Sequence, residues 1–175
     1  MVLDNRSDKK MLPFCGQERA LIDQNGRLRL CQRFVDDFLS RGTGDIVMYG
    51  LPEGAVALYP EAVFREMRER ELGAVDRVGA SFLARRSLRR FGSLSYPERI
   101  SRQGRITLPE ALQAFSDLRP GVTAAVVGVE IGVELWEVNR LNAEMAAIET
   151  QMAEAKTYEL SQHNRWDEET PPKQL

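Results

Sequence analysis

A nine-residue segment occurs twice in this chain, and this repetition constrains the fold more than any other feature. The first copy covers residues 22–30, and the second covers residues 100–108, seventy-eight positions later. Ile22, Gly26, Arg27 and Leu30 recur unchanged at the same offsets, and the aliphatic Leu28 recurs as Ile106. Each copy is typical of a strand, a tight turn that ends in Gly-Arg, and a second strand, because glycine accepts the positive φ of a reversing chain. The duplication predicts two related structural units that each present a Gly-Arg tip.

The sequence around the two copies repeats the same plan of strands and helices. Strands are predicted over 17–22, 27–30, 45–51 and 55–59 in the first half, and over 94–100, 105–108, 122–130 and 133–136 in the second. Helices are predicted at 34–39, over 60–92 with interruptions near Gly73 and Gly79, after Pro109, and over 138–163. The strands on either side of each Gly-Arg turn are expected to pair as a local hairpin, as are the next two strands. This pattern indicates the α+β class.

Composition limits the possible functions. The chain has 175 residues, 43% of them hydrophobic, which suffices for one domain or two small ones. The formal net charge is −2, so a role with nucleic acid would require a local basic patch. Segment 85–105 supplies one, with Glu98 as its only acid. Its cations are Arg85, Arg86, Arg89, Arg90, Arg99, Arg102 and Arg105. The first four are expected to form either a solvated helix face or a face that contacts phosphates or another subunit.

Membrane proteins, metalloproteins and enzymes are disfavoured because the sequence lacks their usual features. No apolar run is long enough for a membrane-spanning helix, and the first ten residues lack the apolar centre of a signal peptide. Cys15, Cys31 and His163 provide neither a disulfide framework nor a metal site. With no histidine near the candidate sites and no phosphate-cradling glycine loop, an enzyme is disfavoured. We therefore expect a cytoplasmic protein with no cofactor, no metal, no membrane contact and no small-molecule substrate.

The two Gly-Arg tips are the candidate binding site. Arginine offers a planar fork of donors that binds guanine O6 and N7 together, or a phosphate, and an exposed glycine lets a backbone approach a surface closely. A single glycine turn before an arginine is common in hairpins, but two copies in the same frame make chance a poor explanation. The candidate residues are Asn25, Gly26, Arg27, Arg29, Arg102, Gln103, Gly104 and Arg105.

These residues resemble the MraZ family. The resemblance rests on Phe14-Cys15-Gly16, Ile22 to Leu28, Phe34, Leu58-Tyr59-Pro60, Gln103 to Ile106, Leu108-Pro109 and Leu135-Trp136. It implies two AbrB-like swapped-hairpin β-barrel motifs that form a pseudo-dimer in one chain, with intervening helices and a long C-terminal helix. The chain would then divide into a disordered extension at 1–12, a first motif at 13–92, a second motif at 93–163 and a disordered tail at 164–175.

The resemblance also implies a function. MraZ proteins are bacterial transcriptional regulators that form ring-shaped homo-oligomers and bind short repeated sites upstream of the division and cell-wall gene cluster. A chain of this kind would bind double-stranded DNA, including its own promoter, and associate with the nucleoid. The family's Asp-x-x-Gly-Arg loop faces DNA, which adds Asp23 to the candidate residues and assigns the same role to Gly26, Arg27, Gly104 and Arg105.

The chain departs from the family pattern at three positions near the tips. Ser101 stands where the family has aspartate, Arg29 replaces a small polar residue, and Cys31 replaces the usual proline. The first tip is therefore expected to be held more rigidly, and the second to be backed by more arginines. The alternative function is an oligomeric scaffold of the same fold that has weakened or lost DNA reading. Its assembly surface would be the heptad-spaced positions Val138, Leu141, Met145, Ile148, Met152 and Ala155.

Overall fold

The computed structural model describes residues 12–71 and 81–168. The predicted α+β class with a long C-terminal helix is confirmed. The elements are β1 (Gln17–Leu21), β2 (Arg27–Arg29), α1 (Gln32–Ser40), β3 (Asp45–Gly50), β4 (Val56–Pro60), α2 (Glu61–Glu71), α3 (Phe82–Ser93), β5 (Ser95–Arg99), β6 (Arg105–Thr107), α4 (Glu110–Ser116), β7 (Thr123–Gly128), β8 (Val133–Trp136) and α5 (Val138–Glu168). The chain divides into two compact units after Val138, and strands β1 to β8 lie in the first unit.

The two copies are interlocked, because each supplies a strand to the other. Strand β1 pairs with β7, and its counterpart β5 pairs with β3, both antiparallel. The prediction of a local hairpin around each Gly-Arg turn is therefore wrong: within the described residues no ladder joins β1 to β2 or β5 to β6. The two later hairpins, β3 with β4 and β7 with β8, are confirmed. The apolar alternation of a strand is the same whichever strand lies beside it, so the pattern alone did not reveal the exchange.

Pairing between the copies follows a pseudo-two-fold relation. Strand β2 pairs with β6 so that Leu28 lies opposite its equivalent, Ile106. Strand β4 pairs with β8. The Leu30 N–H donates to Gly104 O at 2.9 Å, and the equivalent Leu108 N–H donates to Gly26 O at 2.8 Å. The same backbone bond is thus made in both directions, as expected of a pseudo-dimer in one chain.

The described strands form two sheets rather than a closed barrel. A six-stranded sheet has the order β1-β7-β8-β4-β3-β5, and β2 with β6 forms a separate two-stranded ribbon. One apolar core is shared by the two sheets, and it includes Leu28 and Ile106 from the ribbon together with Phe34 and Phe38 from α1. Because only one face of the ribbon is buried, its alternate side chains are directed outward.

The helices largely follow the sequence pattern. Helix α1 buries Phe34, Val35 and Phe38, as its apolar spacing predicts. Helix α2 lies within the predicted 60–92 stretch, and α3 ends one residue past it, at Ser93. The interruptions expected near Gly73 and Gly79 fall outside the described residues. Helix α5 continues to Glu168, past the predicted end at 163. Disorder was expected at 1–12 and 164–175; residues 1–11 and 169–175 fall outside the described residues, and residues 164–168 belong to α5. None of the described helices is both long and apolar enough to cross a membrane.

Candidate nucleic-acid interface

The first tip is an Asp-initiated turn in which the carboxylate orders the backbone. Asp23 Oδ1 accepts the N–H of Asn25 at 2.8 Å and the N–H of Arg27 at 2.9 Å. The Gly26 N–H donates to Asp23 O at 3.0 Å, and Gly26 has φ of 71°. Aspartate at the start of a turn commonly makes such bonds to the backbone that follows it. The carboxylate of Asp23 therefore orders the backbone of the tip.

The same bonds shift the pKa of Asp23. The hydrogen bond from the backbone N–H of Arg27 lowers the pKa of Asp23 below its usual value and outweighs the opposing effect of desolvation. The N–H of Asn25 and the nearby Arg27 guanidinium act in the same direction. The ionised form of Asp23 is thus the form that fits the turn.

The second tip has the same backbone path but weaker support. Gly104 has φ of 73°, and its N–H donates to Ser101 O at 2.8 Å. The Ser101 hydroxyl accepts the N–H of Arg105 at 3.3 Å. One longer bond to a neutral oxygen replaces two shorter bonds to a carboxylate, and charged acceptors form the stronger hydrogen bonds. This geometry agrees with the expectation that the first tip is held more firmly.

We expect the stability difference between wild type and Asp23→Asn to depend on pH. Because folding lowers the pKa of Asp23, its contribution is present above the unfolded-state pKa of about 3.9 and is lost as pH falls through the folded-state pKa. Wild type should be the more stable protein at pH 7, and the gap should close in acid. Urea unfolding of both proteins at a series of pH values measures this difference in stability.

The matched control is Ser101→Ala, which removes the equivalent acceptor of the second tip without removing a titratable group. Its stability difference from wild type should not change with pH. A gap for Asp23→Asn that stays constant between pH 7 and acid would show that the carboxylate does not order the tip.

The ribbon brings three arginines from the two copies onto one exposed face. In its register, Arg29 lies directly opposite Arg105, and Arg27 lies opposite Thr107. All four side chains are exposed, while Leu28 and Ile106 between them face the core. Like charges directly opposite each other on a sheet destabilise it. Within the described residues, no salt bridge neutralises these three guanidinium groups, so the face is electrostatically suited to an anion.

A shallow depression accompanies the arginine face. It has a volume of about 320 Å³ and is lined by Leu21, Asp23, Arg27, Leu28, Arg29 and Arg105. Arg29 Nε donates to the carbonyl oxygen of Gln103 at 3.0 Å, which uses one of its five N–H donors. Residues from both copies are therefore needed to build the depression.

The two tip glycines have a different role from the one expected. Gly26 and Gly104 are both buried, so the expectation that they let a surface approach the backbone is wrong. A Cβ at residue 104 would lie 2.7 Å from both Leu30 O and Val35 Cγ2. At residue 26 it would meet the side-chain amide of Gln113, which donates to Leu108 O at 2.7 Å. These glycines let the tips pack against the opposite copy.

The other predicted site residues lie beside the ribbon. Asn25, Arg102 and Gln103 are exposed in the tip loops, outside the row of ribbon arginines. Two members of the basic 85–105 segment are engaged within the chain: Arg90 donates to Tyr49 Oη and to Gly50 O at 3.2 Å, and Arg99 donates to Asp45 at 2.8 Å. The segment thus contributes fewer available cations than its composition suggests.

Two further residues of this surface were not identified from the sequence. Thr107 occupies the ribbon position opposite Arg27. Leu21 is 61% exposed and lines the depression. The alternation of β1 was a signal for Leu21, because Ala20 and Ile22 on either side of it are buried. Among the described residues, no group of three or more histidine, cysteine or acidic side chains is arranged to hold a metal ion.

These observations define a double-motif protein in which each copy of the unit completes the sheet of the other, with arginines on the ribbon where the copies meet. No protein-family model matches the chain. A protein from Desulforamulus reducens named "Transcriptional regulator MraZ" is 34% identical over 146 residues, covering 81% of this chain and 95% of the relative. Proteins of the same name from Moorella thermoacetica and an Arthrobacter species are 33% identical over 127 residues (73% of this chain, 82% of the relative) and 28% identical over 141 residues (81% and 93%). The chain belongs to the MraZ family.

Proposed function

We propose that this chain is a transcriptional regulator that binds double-stranded DNA sequence-specifically through the arginine face of the β2–β6 ribbon. Its expected sites are short repeats upstream of its own gene and of the division and cell-wall gene cluster. A cytoplasmic, nucleoid-associated location accompanies this role. The observation that carries the proposal is the exposed β2–β6 face, where Arg29 lies opposite Arg105 and beside Arg27. The names of the curated relatives support the regulatory role.

The shape of the ribbon fits the major groove. That groove admits a two-stranded β-ribbon, and arginine makes bidentate hydrogen bonds to guanine there. The buried partners Leu28 and Ile106 fix the ribbon to the core, so its outward side chains are presented by a rigid element. Asp23 and Ser101 order the tips at either end. The exposed loop residues Asn25, Arg102 and Gln103 are placed to contact the flanking phosphates or base edges.

Assembly would turn a weak contact into a strong one. A single ribbon offers few base contacts, whereas a ring-shaped homo-oligomer offers many ribbons to successive repeats. Linked contacts gain affinity through effective concentration, by about 10²-fold or more. Helix α5 supports self-assembly, since its heptad-spaced Met145, Ile148 and Met152 are exposed. A scaffold that assembles without reading DNA remains the competing function.

Binding should depend on both repeat number and salt. On fragments from the region upstream of the chain's own gene, several repeats should bind about 10²-fold more tightly than one. Raising monovalent salt from about 50 mM to about 200 mM should weaken binding at least ~10-fold. Contacts to phosphates release counterions from the DNA, and this release is less favourable at higher salt. Fluorescence anisotropy over a salt series measures both effects.

The control fragment has the same composition in shuffled order. The proposal predicts a clear preference for the repeats over the shuffled fragment at every salt concentration. Equal and weak binding to the two fragments, with the oligomer intact, would favour the scaffold.

A further inference from the structure

Leu21 is an apolar side chain beside the arginine face of the ribbon. It ends β1 and is 61% exposed. It shares the 320 Å³ depression with Arg27, Arg29 and Arg105. Single exposed leucines are common on protein surfaces and need no explanation. What sets Leu21 apart is that it lies among guanidinium groups that are expected to meet a ligand.

The pseudo-two-fold relation shows that this apolar position is not shared by the two copies. The equivalent residue in β5 is Arg99, which pairs in register with Asp45 and donates to its carboxylate at 2.8 Å. Leu21 pairs in register with Thr123. One end of the ribbon is thus flanked by an ion pair, and the other end is flanked by leucine and threonine. A ligand that spans both ends meets two different chemistries.

Base-pair chemistry indicates what the apolar end reads. In the major groove, thymine alone carries a 5-methyl group, and apolar side chains contact it. Arginines beside such a contact bind guanine or phosphate. Burying one methyl group against an exposed leucine gives a modest gain, equivalent to about 3- to 5-fold in affinity.

We propose that Leu21 is a specificity-determining residue that contacts a thymine 5-methyl group next to the bases or phosphates held by Arg27 and Arg29. This assignment rests on the DNA-binding function proposed above. It makes recognition by one chain asymmetric: thymine is preferred on the Leu21 side of the ribbon, and the Arg99 side has no equivalent contact.

The test replaces thymine by deoxyuridine, which keeps the base pair but lacks the methyl group. The DNA upstream of the chain's own gene is amplified with either thymidine or deoxyuridine triphosphate, and the affinity of the full chain for each product is measured. Wild type should bind the thymine DNA about 3- to 5-fold more tightly. Leu21→Ala should bind thymine DNA more weakly by a similar factor and should not distinguish the two products.

Leu83→Ala is the matched control, because Leu83 is a 74% exposed leucine on α3 that does not line the depression. It should keep the wild-type ratio of affinities. If wild type binds DNA but ignores the methyl groups, or if Leu21→Ala keeps the wild-type ratio, the assignment of Leu21 is wrong and the DNA-binding function stands. If wild type fails to bind either product, the DNA-binding function and the assignment fall together.

Discussion

Replacing Arg27 and Arg105 together by alanine is expected to weaken binding to repeat-containing DNA by about 100-fold or more. Each arginine–guanine or arginine–phosphate contact contributes about 1–3 kcal/mol, and about 1.4 kcal/mol corresponds to a factor of ten. Both side chains are exposed on the ribbon and make no contribution to the core. Removing Arg105 also relieves its repulsion with Arg29, which lies directly opposite it, so the fold should be retained.

The measurement is a binding titration at several salt concentrations, with oligomeric size checked by light scattering. Arg65→Ala with Arg70→Ala is the matched control, since these exposed arginines of α2 pair with Glu61 and Glu66 on the helix surface. The control changes net charge equally but should leave affinity nearly unchanged. If the Arg27 and Arg105 double variant binds as tightly as wild type, the ribbon is not the interface.

Gly104→Ala is expected to destabilise the protein by about 2–4 kcal/mol. The residue has φ of 73°, which strains any side-chain-bearing residue. Its added Cβ would also lie 2.7 Å from Leu30 O and Val35 Cγ2, where backbone must move. Urea unfolding at fixed protein concentration gives the change in the free energy of unfolding.

Alanine substitutions at two other glycines distinguish the cost of the backbone conformation from the cost of a steric clash. Gly121 has φ of 87° with nothing within 4 Å of an added Cβ, so Gly121→Ala should cost only about 1 kcal/mol. Gly92 lies in α3, also with nothing within 4 Å, and Gly92→Ala should stabilise by about 0.5–1 kcal/mol. A loss for Gly104→Ala no larger than that for Gly121→Ala would mean that the tip does not pack against the opposite copy.

The repeat made the local features of this fold predictable. Glycine in a turn and alternation in the flanking strands depend on neighbouring residues, so they can be read from a short stretch of sequence. For the same reason, the buried face of α1, with Phe34 and Phe38, was predictable. The resemblance to MraZ added the interlocking of the copies, and the relatives place the chain in that family.

Features that depend on strand partners and register were not predictable from local pattern. Pairing of β1 with β7 joins residues about a hundred positions apart, and nothing in either strand's alternation specifies it. The opposition of Arg29 and Arg105 follows only once the β2–β6 register is known. Burial of Gly104 likewise depends on Leu30 and Val35 of the other copy.

The basic segment 85–105 shows that a high content of arginine does not by itself make a cationic surface. Seven arginines between 85 and 105 predicted a cationic patch, but tertiary contacts distribute them among different tasks. Arg90 binds Tyr49 and Gly50, and Arg99 pairs with Asp45. The arginine face is instead built from β2 and β6, and two of its three arginines, Arg27 and Arg29, lie outside that segment.

Binding of the purified protein to the DNA immediately upstream of its own gene distinguishes a DNA-reading regulator from a scaffold. A titration at moderate salt, read by anisotropy against a shuffled fragment of equal length, is sufficient. We predict saturable binding that prefers the upstream fragment and that is lost in the Arg27 and Arg105 double variant. Equal affinity for both fragments, or binding that survives the double substitution, would show that the arginine face of the ribbon does not read DNA.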